Sequence, residues 1–86
     1  MDLELKNWLQ SGKYRIEVLR RLRRSPTTPS ELAKELKIHR PSIARVLNDL
    51  VKELLISKTT RNAKNTTYFL TKSGERIAQE IIEVKA

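Results

Sequence analysis

The 86-residue sequence predicts one domain that is mainly α-helical and carries a small β-hairpin. Apolar residues recur at helical spacing through most of the chain, whereas residues 56–70 hold two β-rich segments around a polar connection. The chain has only two glycines and three prolines, a composition typical of a helix-rich globule. A chain of this length builds a single hydrophobic core, so we treat residues 1–86 as one domain.

Two amphipathic helices are predicted first, over residues 2–10 and residues 13–24. Their apolar side chains fall on one face of each helix, at Leu5, Trp8 and Leu9 and then at Tyr14, Val18 and Leu22. Ser11-Gly12 separates the two helices. Pro26 ends the second, because the residue before a proline disfavours the helical conformation.

Two further helices follow with a tight turn between them. Thr28 suits an N-cap and Glu31 completes a capping-box pattern around Pro29, which fits the first helical position. A helix is therefore predicted over residues 29–36, and residues 37–39 are too few for anything but a turn. The next helix, over residues 40–53, carries a stripe predicted to be buried, at Ile43, Leu47, Leu50 and Leu54.

The pattern then changes to that of a hairpin. Residues 56–60 and 66–70 alternate and are rich in β-branched and aromatic side chains, which predicts two strands. A last helix opens at residues 71–75 and reaches about Val84. We divide the domain into an N-terminal helix at 1–10, a core unit at 13–72 and a C-terminal helix at 73–86.

The charge balance is strongly positive, since 18 lysines and arginines against 10 acids leave a net charge of +8. A polyanionic partner is expected, although charge alone does not separate DNA from RNA, a membrane surface or an acidic protein. The chain has no cysteine, which excludes thiol catalysis, disulfides and cysteine metal sites. It has one histidine, around which no Ser-His-Asp catalytic triad can be assembled. We expect neither an enzyme nor a bound cofactor or metal.

The sequence also predicts where the protein resides. It contains no apolar run long enough to span a bilayer, and its acidic, amphipathic N-terminus is unlike a signal peptide. We therefore expect a cytoplasmic, nucleoid-associated protein with no membrane partner.

Two short helices around a three-residue turn, followed directly by a hairpin, are the parts of a winged helix-turn-helix. The segment before the hairpin contains Ser42, Arg45, Leu47, Leu50, Leu55 and Ile56, and the segment after it reads Tyr68-x-Leu70-Thr71-x-x-Gly74. Over about residues 13–82 the chain resembles the winged helix-turn-helix regulators of the MarR/ArsR-like type. The resemblance implies sequence-specific binding of double-stranded DNA, with the recognition helix (residues 40–53) in the major groove and the hairpin, or wing, on the backbone or minor groove.

One residue departs from the family pattern. The family usually has glycine before its Leu-Ile pair, and this chain has Leu54 there. Glycine adopts the left-handed conformation at a helix end at little cost, whereas leucine loses roughly 1 kcal/mol there. We therefore expect the recognition helix to end differently or to run on slightly, which leaves the angle of the wing open.

Candidate DNA contacts follow from the core-facing stripe by subtraction. The outward residues at the start of the recognition helix are Arg40, Pro41, Ser42, Ala44, Arg45 and Asn48. His39, in the preceding turn, is a further candidate, either as a turn residue or as a phosphate contact. Arg45 is expected to read a base, because arginine makes bidentate contact with guanine, and asparagine suits adenine. Ser30 either binds a phosphate at the preceding helix start or serves only that helix. The wing offers Lys58, Arg61, Asn62, Lys64 and Asn65, within a stretch from Ser57 to Lys72 that has four basic residues and no acid.

The densest charge lies at the end of the second helix, at Arg20, Arg21, Arg23 and Arg24. Cations there complement the negative end of the helix dipole. Four arginines exceed that need, so a contact with the DNA backbone or a second partner is an equal alternative.

A homodimer is expected from apolar surface on the terminal helices, at Leu5, Trp8, Leu9, Ile77, Ile81 and Ile82. The resemblance implies that such helices pair around a two-fold axis and that the DNA site is roughly palindromic. The same residues can instead belong to the core of one chain. No small-molecule effector site is evident.

Alternatives to a sequence-specific regulator stay open at this point. They are a non-specific architectural DNA binder, a winged-helix protein-interaction module of transcription machinery and, more weakly, an RNA-binding protein. RNA binding is disfavoured because Tyr68 and Phe69 lie in a strand where at least one must face the core.

Overall fold

The computed structural model describes residues 3–62 and 65–83. Its elements, in chain order, are the helices and strands α1 (Leu3–Ser11), α2 (Arg15–Arg24), α3 (Pro29–Leu36), α4 (Arg40–Lys52), β1 (Ile56–Asn62), β2 (Asn65–Leu70) and α5 (Lys72–Glu83). The predicted fold class and element order are confirmed. Both strands are longer than predicted, and α2 begins two residues later than expected. Val84 lies outside the described residues.

The helix-turn-helix is formed by α3 and α4. The N-cap and the proline at the start of α3 act as predicted, whereas among the described residues the Glu31 side chain does not return the second bond of a capping box. The Thr28 hydroxyl accepts a hydrogen bond from the Glu31 N–H at 3.2 Å, and Pro29 is the first residue of α3. Lys37 closes α3 in the left-handed conformation, with φ of 56°. Ile38 anchors the turn because its side chain is buried in the core.

The wing is a two-stranded antiparallel sheet in which Ile56 pairs with Leu70 and Thr60 with Thr66. One residue outside the hairpin joins it. Thr27 donates its N–H to the Tyr68 carbonyl at 3.1 Å and accepts the Tyr68 N–H at 2.8 Å. This bridge, which the sequence pattern did not predict, ties the α2–α3 connection to β2.

The junction between α4 and the wing corrects two expectations. Helix α4 ends at Lys52, and Leu54 adopts the left-handed conformation with φ of 63°, as the family glycine would. The helix therefore neither runs on nor ends differently. Leu54 is also not part of the buried stripe, because the left-handed turn points its side chain outward and leaves it 73% exposed.

The start of α5 closes this junction from the other side. The Thr71 hydroxyl donates to the Leu54 carbonyl at 2.7 Å and accepts the Gly74 N–H at 3.0 Å. The Thr71 N–H donates to the Leu55 carbonyl at 3.0 Å. A Cβ on Gly74 would lie 1.9 Å from that carbonyl oxygen, so only glycine permits this approach. The two segments that resemble the family, one before and one after the hairpin, thus contact each other at this junction.

The core draws on every helix and on both strands. Val18 and Leu19 of α2 pack with Leu32 of α3, the α4 stripe, Ile56 and Tyr68. Tyr68 is buried and Phe69 is half-buried, in agreement with the expectation that at least one faces the core.

The residues expected at a dimer interface divide between core and surface. Leu9, Ile77 and Ile81 are at most 5% exposed and belong to the core of the single chain. Their apolar surface is therefore occupied by the chain itself. Leu5 and Trp8 are half-buried, and the Ile82 side chain lies outside the described part.

Candidate nucleic-acid interface

The outer face of the recognition helix α4 is polar and basic. Arg45 and Asn48 are exposed three residues apart, and the opposite face, with Ile43, Leu47 and Leu50, is buried. Four further predicted contacts lie at the start of the helix. His39, Arg40 and Pro41 are exposed, and Ser42 is half-buried. No acid occurs from Lys37 to Asn48, so this face offers an uninterrupted surface to an anion.

Two other groups of predicted contacts lie at the surface. Ser30 is exposed in the first turn of α3. Lys58 and Arg61 are exposed on β1. Asn62 is the last residue of β1 and Asn65 the first of β2, but their side chains lie outside the description, as does the whole of Lys64. DNA contact by these residues stays a prediction.

The arginine cluster at the end of α2 is not uniformly available. The Arg21 guanidinium donates from Nε to Glu35 Oε1 at 2.7 Å and from a terminal nitrogen to Oε2 at 3.2 Å. Its other terminal nitrogen donates to the Ser25 carbonyl at 3.1 Å. The Glu35 hydrogen bond raises the pKa of Arg21, and the Arg21 hydrogen bond holds the pKa of the Glu35 carboxyl below its ordinary value.

This pairing fixes α3 against α2. Arg21 is therefore a structural residue, whereas Arg20 and Arg24 are exposed on the same helix. The pair joins residues fourteen positions apart on different helices, so helical spacing within one segment gives no signal of it.

The turn between α1 and α2 lies beside α4, a position that the sequence analysis missed. A cleft of about 270 Å³ separates them, lined on the turn side by residues 12–15 and on the α4 side by Ser42, Arg45, Val46 and Asp49. The only available signal in the sequence was the cationic pair Lys13 and Arg15 around Tyr14.

The turn is held by an aromatic contact. The Arg15 guanidinium lies 3.8 Å from the centroid of the Trp8 ring and donates to the Trp8 carbonyl. The Arg15 side chain crosses the turn at Gly12, where a Cβ would lie 2.2 Å from Nε, an atom at the movable end of that side chain.

Within residues 3–62 and 65–83, no helix is long and apolar enough to cross a membrane. In the same described residues, no three acidic, histidine or cysteine side chains group as metal ligands would.

The chain is similar to a known protein family and to several solved structures. The sequence model of the HVO_A0261 N-terminal domain family matches residues 5–86. No curated protein sequence matches the chain. The adhesin competence repressor AdcR of Streptococcus pyogenes is 27% identical, with a TM-score of 0.78 over 96% of this chain and 64% of that one. An apo double mutant of Lactococcus lactis ZitR is 21% identical, with a TM-score of 0.79 over 96% and 63%. Oxidised MarR of E. coli is 23% identical, with a TM-score of 0.68 over 80% and 53%.

The chain spans between about half and two thirds of the length of these three proteins. The similarity covers both the helix-turn-helix and the wing, and it confirms the resemblance to winged helix-turn-helix regulators of the MarR type. Because the family match covers nearly the whole chain, the protein belongs to the HVO_A0261 N-terminal domain family.

Proposed function

We propose that the chain is a DNA-binding transcription regulator that inserts the N-terminal half of α4 into the major groove. The observation that carries the proposal is the outer face of the N-terminal half of α4, which has no acid from Arg40 to Asn48 and where Arg40, Arg45 and Asn48 are exposed beside a buried apolar stripe. A helix of this kind fits the major groove, and its first turns reach base edges. AdcR, whose fold this chain shares, is described as a repressor.

The residues divide between base reading and backbone contact. Arg45 stands outward in the middle of the exposed face, where a bidentate contact with guanine is worth roughly 1–3 kcal/mol of discrimination. Asn48 lies next to it and suits adenine. Arg40, Ser30 and the wing residues Lys58 and Arg61 serve phosphates, which set orientation but carry no sequence information.

Selection from random double-stranded DNA at a stated salt concentration tests the proposal. A consensus is expected, and Arg45→Ala should relax discrimination at one position of it. Arg61→Ala is the matched control, since it removes the same side chain from the wing and should weaken all duplexes alike. Tight binding without a consensus would favour a non-specific architectural protein. Absence of DNA binding at about 100 mM salt would favour a protein-interaction module.

We also propose that the regulator acts as a homodimer on a roughly palindromic site. Three of the six residues expected at the interface lie in the core, so a partner would use the surface of α1. Leu3 is 69% exposed there, beside the half-buried Leu5 and Trp8. Sedimentation at tens of micromolar protein tests this, and a monomer at that concentration would contradict it.

A further inference from the structure

The α1–α2 turn forms one wall of the cleft beside the recognition helix. The other wall is a stripe of α4 at Ser42, Arg45 and Asp49, spaced three and then four residues apart. Arg45 is thus both a wall of this cleft and the proposed base-reading residue. A DNA segment that Arg45 contacts would therefore also lie close to the α1–α2 turn.

The dimensions of a duplex make that proximity consequential. An α-helix with its side chains is about 10–12 Å across and the major groove is about 12 Å wide, so the helix fills the groove. The sugar-phosphate backbones then run along both flanks of the helix. An element packed beside the outer face of α4 therefore faces a phosphate strand.

The two cations of the turn have different surroundings. Arg15 is engaged, because its guanidinium stacks on Trp8 and donates to the Trp8 carbonyl. Lys13 is exposed, with its ammonium 5.5 Å from the Tyr14 ring centroid. Among residues 3–62 and 65–83, no carboxylate lies within ion-pair distance of Lys13. Lys13 thus carries an unneutralised charge on a turn that Arg15 holds in place.

We propose that the α1–α2 turn is a third DNA-contacting element, in which Lys13 binds a phosphate of the strand bordering the groove occupied by α4. Half-buried Asp49 lines the same cleft and repels phosphate from its depth, so the contact lies at the exposed rim where Lys13 stands. The inference rests on the proposed function, and it adds a contact outside both the helix-turn-helix and the wing.

Lys13→Ala tests the proposal, with Lys52→Ala as the matched control. Both lysines are exposed, and both substitutions remove one positive charge, but Lys52 is the last residue of α4, away from the end proposed to enter the groove. Binding to a fluorescent duplex containing the selected consensus is measured by anisotropy between about 50 and 200 mM salt. Circular dichroism confirms that both variants fold.

Lys13→Ala is expected to bind about three- to fivefold more weakly for each bound protomer, with the slope of log affinity against log salt smaller by about 0.9 per protomer. The loss should be equal on consensus and random duplexes, because a phosphate contact carries no sequence information. Lys52→Ala should match the wild type. If Lys13→Ala behaves like Lys52→Ala while the wild type binds, the turn proposal alone is overturned. If the wild type binds no duplex, both proposals are overturned.

Discussion

Replacing Leu54 by alanine and by glycine separates the energy of its backbone conformation from that of its side chain. The side chain is 73% exposed, so Leu54→Ala removes only about a quarter of the roughly 1.5–3 kcal/mol that full burial of leucine provides. Alanine still has to adopt φ of about 63°. Glycine is free of that cost, which is about 1–2 kcal/mol, but it loses about 0.4–1 kcal/mol through the greater freedom of the unfolded chain.

The expected result is that Leu54→Gly is more stable than Leu54→Ala by about 1 kcal/mol. In a domain of this size, that difference raises the thermal midpoint by about 4–8 °C. Urea unfolding followed by the fluorescence of Trp8, the only tryptophan, measures the free energy. All variants are compared at one protein concentration, because association would otherwise shift the midpoints.

The control compares alanine with glycine at a position that has ordinary helical backbone angles. Ala44 is exposed in the middle of α4, where glycine should cost about 1 kcal/mol relative to alanine. The sign of the alanine-to-glycine change should therefore reverse between the two positions. If glycine is less stable than alanine at position 54 too, the left-handed strain assigned to Leu54 is refuted.

Three further predictions concern stability and use the same urea assay. Gly74→Ala should destabilise by about 3 kcal/mol or more, the upper range for overpacking, because the new Cβ meets the backbone carbonyl of Leu55 and not a movable side chain; a change below about 1 kcal/mol would contradict the close approach. Thr71→Ala should cost about 2 kcal/mol and Thr28→Ala about 1 kcal/mol, since both hydroxyls cap a helix but only that of Thr71 also donates to Leu54; equal costs would deny that second bond a role. Glu35 has a lowered pKa in the folded state, so its stabilising effect is present above the unfolded-state value of about 4.3 and is lost as pH falls through the lower folded-state value. The wild type should thus exceed Glu35→Gln in stability at neutral pH and lose that advantage in acid, and a pH-independent difference would contradict the pairing.

The sequence was sufficient to predict every element that has a local signal. The start of α3 was predictable because Thr28, Pro29 and Glu31 lie within four residues and their interaction is local. The buried face of α4 followed from helical spacing, because Ile43, Leu47 and Leu50 repeat along one segment. Arg45 lies off that buried stripe, so its outward position on α4 is predictable from the sequence.

Contacts between distant segments gave no such signal. Thr27 joins the sheet as a single residue, too short for any alternation to show. Arg21 pairs with Glu35 across two helices, and a run of arginines looks alike whether its members are paired or free. The dimer expectation was affected in the same way, because an apolar helix face looks alike whether the rest of its own chain buries it or a second chain does. Ile77 and Ile81 are buried within the chain.

The α4–β1 junction explains how a leucine is accommodated in the left-handed conformation between the recognition helix and the wing. Leu54 is held in the left-handed conformation locally, because its N–H donates to the Val51 carbonyl and the Leu55 N–H donates to the Leu50 carbonyl. Thr71, sixteen or more residues further on, adds hydrogen bonds to the Leu54 and Leu55 carbonyls. Those bonds exist only if α5 approaches closely, and Gly74 permits that approach. The conformation that glycine would adopt freely is thus held here by the local capping bonds together with these tertiary contacts. The direction in which β1 leaves the recognition helix therefore depends on residues 71–74, so substitutions there should alter the orientation of the wing even though none of them is a proposed DNA contact.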